Sequence, residues 1–162
     1  MTRTKKQIGK YSRRKGASFE REVADMWSTW TGLPCRRTPR SGAYGGEGWD
    51  NLAGDLMFSG DNTPNVIIEI KRREGWTWEG LLDGKGPVYD WWAKVREEAK
   101  QSKTPNTEPI LMFKKNRGQI WVACQFLFNT GFLFDEIPDV SIRIPHVPIT
   151  IFKAESVSGW KL

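Results

Sequence analysis

The sequence predicts an α/β fold, a central mixed β-sheet flanked by helices. Three observations carry this. An apolar stripe at helical spacing runs through "GASFEREVADMWSTWTG", and "DWWAKVREEAKQS" repeats the amphipathic pattern further on. Between them "VIIEIK" has the branched apolar composition of a strand. After them "PILMFKK" and "QIWVACQF" read as a hairpin turned by Asn116, Arg117 and Gly118.

The chain opens on a basic arm, residues 1–16. The first 18 residues hold seven Lys/Arg and no acid, while the other 18 bases and 19 acids nearly cancel, so the arm carries the net charge of +6. Such arms bind nucleic acid through phosphate contacts, and Arg13, Arg14 and Lys15 are the candidates nearest the body of the protein. Residues 17–162 are of a length expected of one domain with a real core.

In the first helix Phe19, Val23, Met26, Trp27 and Trp30 form the buried stripe, with Ser18 as expected N-cap and Gly32 and Pro34 as the stop. "PCRRTPR" is a short extended piece, followed by the glycine-rich loop "SGAYGGEGWDNLAG". "DLMF" and "VIIEIK" are strands joined by "SGDNTPN". Residues 75–89 form a Trp- and Gly-rich insertion. Trp76 and Trp78 alternate there on a possible extended segment, fit for a dimer surface, base stacking or packing, with a dimer or packing role favoured. In the second helix Trp91 and Val95, with Trp92 beside them, make the buried face. The tail adds short strands, "VSIRI" and "PITIFKA", and His146 between them reads as structural.

Composition excludes several classes. A charged fraction of 27% with ordinary apolar content fits a globular chain, and no apolar run approaches the ~18 residues of a membrane span. The basic start has no apolar segment after it, unlike a secretory signal. One histidine and two distant cysteines argue against a Cys/His zinc site or a Ser-His-Asp triad. An intracellular, cytoplasmic protein with reduced thiols is the expectation.

Two residues break the apolar pattern of the third strand. Side chains alternate along a strand, so Val66, Ile68 and Ile70 share one face while Ile67, Glu69 and Lys71 share the other. Glu69 and Lys71 then stand roughly 6.5–7 Å apart by strand rise. If "DLMF" and "VIIEIK" pair as an antiparallel hairpin about Asp61–Thr63, Asp55 falls opposite Glu69. Two carboxylates that close repel unless a cation lies between them. Mg²⁺ suits such a pair, since it takes one or two carboxylates, waters and phosphate oxygens.

"KGASFEREV", "RRTPRSG", "GDL" and "IIEIKRR", in that order, resemble the archaeal-type Holliday junction resolvases of the PD-(D/E)XK nuclease superfamily. The resemblance spans about Lys15 to Arg73 and resumes weakly at "PILMFKKNRGQIWV"; the insertion and the C-terminal stretch are unmatched. It implies a restriction-endonuclease-like core and catalysis by Glu20, Asp55, Glu69 and Lys71. It implies Mg²⁺, with Mn²⁺ as substitute, on Asp55, Glu69 and the carbonyl of Ile70, with Glu20 assisting. Lys71 would position or deprotonate the attacking water. Arg21, Arg36, Arg37, Arg40, Arg72 and Arg73 would hold DNA phosphates, and Ser41 is either a DNA contact or a turn residue before Gly42. The partners implied are branched or junction DNA and a second copy of the chain. The alternatives are another recombination, repair or restriction-like nuclease on the same core, or a DNA-binding module with a dead site.

Overall fold

A computed structural model of the chain describes residues 5–39, 54–125, 141–144 and 149–157. One helix, α1 (Lys5–Thr31), runs from the basic arm into the body of the protein. The expected start at Ser18 is therefore corrected: Ser18 is an exposed residue inside α1. Lys, Arg and Gln are good helix formers, and the two glycines in this stretch cost only ~1 kcal/mol each, so the helix continues through them. It stops where expected, at Gly32, whose φ of 68° is left-handed and whose N–H reaches the Ser28 carbonyl at 3.0 Å.

A five-stranded mixed sheet has the order β3-β4-β5-β7-β6. It consists of β3 (Val66–Arg72), β4 (Glu108–Lys114), β5 (Trp121–Cys124), β6 (Ser141–Arg143) and β7 (Thr150–Lys153). The β3–β4 pair is parallel and the others antiparallel. A parallel pair needs a crossover. Here α2 (Trp78–Leu82) and α3 (Pro87–Lys100) supply it. Pro87 stands in the first turn of α3 after Gly86, an arrangement that pre-sets the helical φ.

Helices cover both faces. Phe19, Val23, Ala24 and Trp27 of α1 pack on Ile68, Ile70, Ile110, Met112, Val122 and Phe152. On the other face Val88, Trp92, Val95 and Ala99 of α3 pack on Ile67, Leu111, Phe113, Ala123 and Ile151. Trp92 rather than Trp91 is the fully buried tryptophan of α3; Trp91 packs at the edge. The insertion is also corrected. Trp78 begins α2 instead of continuing an extended segment, and Trp76 is buried, edge-on to Phe113 at 5.1 Å between ring centres. Trp78 in turn lies edge-on to Trp121 at 4.6 Å. Trp76 thus joins the core, and Trp78, partly buried, packs against it.

The predicted hairpin between the second and third strands does not form. β2 (Leu56–Phe58) pairs instead with β1 (Cys35–Arg37) as a two-stranded antiparallel sheet beside α1. With only three residues, β2 gives its ladder to β1, and the hydrogen bonds of this segment to β3 are made by Asp55. The Asp55 N–H donates to the Ile68 carbonyl at 2.7 Å, and the Ile70 N–H donates to Asp55 Oδ2 at 2.7 Å. Backbone and side chain of one residue thus satisfy two orphan groups on the free edge of β3.

Candidate active site

The third strand is covered on both faces, so its two charged residues are not on an open surface. Glu69 is 4% exposed, on the α3 side of the sheet with Ile67. Glu69 shares this face with Ile67 as the alternation predicts, and the face is buried under α3. Asp55 is 9% exposed beside it. Burial, and then the Glu69 charge, push the Asp55 carboxyl up from 3.8 to about 6, with Glu20 adding to the rise. The Ile70 N–H and the Lys71 ammonium oppose that rise without cancelling it. The two carboxylates therefore meet as predicted, through the edge hydrogen bonds of Asp55 rather than through hairpin register.

Gly54 makes this approach possible. Its φ is 88°, and a Cβ there would stand 2.8 Å from the Ile68 carbonyl oxygen and 3.0 Å from its nitrogen. Only glycine combines that conformation with that proximity.

Cations surround the acids. Lys71 donates to Glu69 Oε1, and Lys94 of α3 reaches the same oxygen at 3.5 Å. Lys94 also pairs with Glu98, one turn along α3, at 3.3 Å. Burial lowers the Lys94 pKa, but Glu69 and Glu98 outweigh it and the net direction is upward. Glu20 projects from α1 and is ion-paired with Arg37 of β1. These groups stand around a cleft of about 510 Å³. Lys15, Gly16 and Glu20 line it from α1, Gly54 and Asp55 from the edge, residues 69–74 from β3 and its end, and Lys94 and Glu98 from α3.

The sequence-predicted set divides accordingly. Glu20, Asp55, Glu69, Ile70, Lys71, Lys15, Arg72 and Arg73 converge on the cleft. Arg13, Arg14, Arg21 and Arg36 are exposed but outside its lining, and Arg37 is engaged by Glu20. Arg40, Ser41 and His146 lie outside the described residues. Lys94, Glu98 and Gly54 were missed by sequence reasoning. A signal for the first two existed: a strand-helix-strand order lays the helix across the strand before it, and Lys94 precedes the buried Val95 on that helix. Burial raises both thiols, Cys35 to about 12, which leaves neither suited as nucleophile or metal ligand.

Among the described residues no three His, Cys, Asp or Glu side chains gather as a metal cage. The donor set nevertheless fits a cation that uses few protein ligands: two buried oxygen acids, one of them destabilised by the other. The N–H and C=O of a strand residue point to the same side, so the Ile70 carbonyl lies on the Asp55 edge with its N–H.

The family model described as "Phage putative PDDEXK endonuclease" matches residues 11–151, most of the chain and every element of the cleft. The chain belongs to this PDDEXK endonuclease family. Its similarity to Protein D14 of Escherichia phage T5 is 32% identity over 116 residues, 69% of each chain. No solved structure matches. Membership bears out the superfamily that the motifs resemble and the mixed sheet flanked by helices, and it makes the chain a nuclease of a class that generally uses divalent metal ions. Among the described residues of this PDDEXK protein, no helix is long and apolar enough to cross a membrane.

Proposed function

We propose that this chain is a Mg²⁺-dependent endonuclease of branched DNA, a four-way junction resolvase at its most specific, acting as a homodimer. The observation that carries the metal-dependent chemistry is the buried pair of Asp55 and Glu69 beside Lys71, at a cleft rimmed by Lys15, Arg72, Arg73 and Lys94. Two acids pressed together where burial opposes their charge favour a bound cation. Asp55, Glu69 and the Ile70 carbonyl would hold it, with Glu20 released from Arg37 to assist. Bound there, Mg²⁺ would supply Lewis-acid charge and lower the pKa of an attacking water.

The chain's own residues do the rest. Lys71 sits next to Glu69, where its ammonium can orient the water and offset negative charge gathering on the phosphate. Arg72 and Arg73 continue the strand at the cleft, placed to hold the backbone of the bound strand. Freed of Glu20, Arg37 gains a second role as a phosphate contact. Farther out, Arg13 and Arg14 stand exposed on α1 and extend the cationic track beyond the cleft. DNA as substrate is supported by this charge and by the family; the preference for junctions and the homodimer are supported by the resolvase motifs.

The test is cleavage of one labelled fixed four-way junction against linear duplex and single strand, with Mg²⁺, Mn²⁺ or EDTA. We expect junction cleavage that EDTA abolishes and either metal restores. Equal cutting of duplex and junction would remove the resolvase reading and leave the nuclease. No cutting with either metal would remove both, and a monomeric mass on junction DNA by light scattering would remove the dimer.

A further inference from the structure

Glu69 Oε1 holds two ammonium groups in a pocket that also contains Asp55. Lys71 is tied to that place by its own strand. Lys94 is not: it comes from α3, its side chain is 58% exposed in the cleft, and Glu98 offers it a second anchor at 3.3 Å. Without a metal, two carboxylates face two ammoniums and the pocket is nearly balanced. A divalent cation on Asp55 and Glu69 would add two positive charges and compete with both lysines for the same oxygen. At ~3.5–4 Å, like charges in a partly buried site repel strongly. Of the two lysines Lys94 is the more exposed, 58% against 26%, and it lines the cleft.

We propose that Lys94 is a positioning residue that occupies Glu69 in the free protein and passes to a DNA phosphate when a divalent cation takes its place. This rests on the metal-dependent nuclease reading. It adds a lysine from the crossover helix to the strand residues of the motif, and gives Glu98 the part of holding Lys94 at the cleft between its two positions. Metal loading and DNA binding then become coupled through one side chain, since a group that both ligands displace or recruit links their affinities in both directions.

The experiment compares wild type, Lys94→Ala and Lys94→Arg in two measurements. Mn²⁺ affinity is read by electron paramagnetic resonance without DNA, and KM and kcat for cleavage are read at saturating Mn²⁺. Lys94→Ala removes a competitor, so we expect Mn²⁺ bound about fivefold or more tightly, while KM for DNA rises about tenfold and kcat changes less. Lys94→Arg keeps the charge and should stay near wild type in both. Unchanged or weakened Mn²⁺ affinity in Lys94→Ala overturns the proposal, as does tighter metal binding with unchanged KM. A wild type that cuts no DNA sinks the nuclease reading instead, and the Mn²⁺ comparison alone then decides whether Lys94 competes for Glu69.

Discussion

Asp55→Asn should stabilise the metal-free protein while destroying its activity. Asp55 has a folded-state pKa of about 6 against an ordinary 3.8, because burial and Glu69 disfavour its charge. A raised carboxyl holds its proton more tightly when folded. Between those two values the folded state binds more protons than the unfolded one, so stability falls as pH rises through that window. Below 3.8 the contribution is fully favourable; above about 6 it is lost and the charge is a standing penalty. At ~1.36 kcal/mol per pH unit the penalty at pH 8 is on the order of 3 kcal/mol. Asparagine cannot ionise, yet its carbonyl oxygen can still accept the Ile70 N–H, so the edge bond that Asp55 makes to β3 survives. The attraction of Lys71 is already contained in that shifted value. Urea unfolding in EDTA should therefore show Asp55→Asn more stable at pH 8 by up to ~3 kcal/mol, or several degrees in Tm at about 2–4 °C per kcal/mol. The gap should close by about pH 4, and Mg²⁺ should narrow it at pH 8 by stabilising wild type alone. A variant less stable than wild type at pH 8, or a gap that ignores pH, would refute the reasoning.

Glu69→Gln and Lys71→Ala should separate binding from chemistry, with junction affinity by gel shift within a few-fold of wild type and cleavage down at least ~100-fold. Near wild-type cutting by either variant would show that β3 is not the catalytic strand. Gly54→Ala should destabilise by about 1–3 kcal/mol in urea and also lower cleavage, since the new Cβ meets the Ile68 backbone and the φ is unfavourable; a stable, active variant would mean that Asp55 is not placed by this contact. Deleting residues 1–15 should weaken binding to every DNA shape and flatten its salt dependence, each lost phosphate contact removing ~0.9 from the log–log slope. An unchanged slope would place the arm off the DNA.

What could be read from the sequence was what its periodicity encodes directly. The α1 stripe, the apolar run of β3, the β4–β5 hairpin and the amphipathic α3 all follow from local spacing, and all are present. Asp55, Glu69 and Lys71 were visible because acids and a lysine violate an apolar pattern at strand spacing. Pairing partners were less legible, because a three-residue strand carries no mark of which edge it will join; β2 joined β1. The start of α1 was hidden by a composition shift at Gly16 that looks like a boundary but costs the helix little. The place of the insertion tryptophans was open between a dimer surface, base stacking and packing, because local spacing does not say what a ring meets; Trp76 and Trp78 interlock edge-on at 5.6 Å between ring centres. Lys94 was hidden by its setting in "AKVREEAK", which reads as an ordinary solvated helix face.

Stability alone does not account for the buried charge of β3, although Glu69 pairs with Lys71 and with Lys94 of α3. A buried ion pair is a weak source of stability, since apolar groups of similar volume often serve a core as well or better. Here the cost is plain: the Asp55 carboxyl is pushed up by its burial and then by the neighbour it is set against. Leu111, the partner of Glu69 on the adjacent strand β4, shows what this part of the sheet otherwise holds, a fully buried side chain with nothing polar to satisfy. A local breach of the folding rules that the rest of the chain observes is expected at a functional site. The same reasoning separates this cluster from Lys114 and Glu22, an ion pair at 2.7 Å between β4 and α1. There one acid meets one base, no second carboxylate is forced in, and no unmet charge is left for a ligand to complete. At Asp55 and Glu69 a second carboxylate is set against the first at the buried edge of the strand, and a cation held between them would relieve that repulsion.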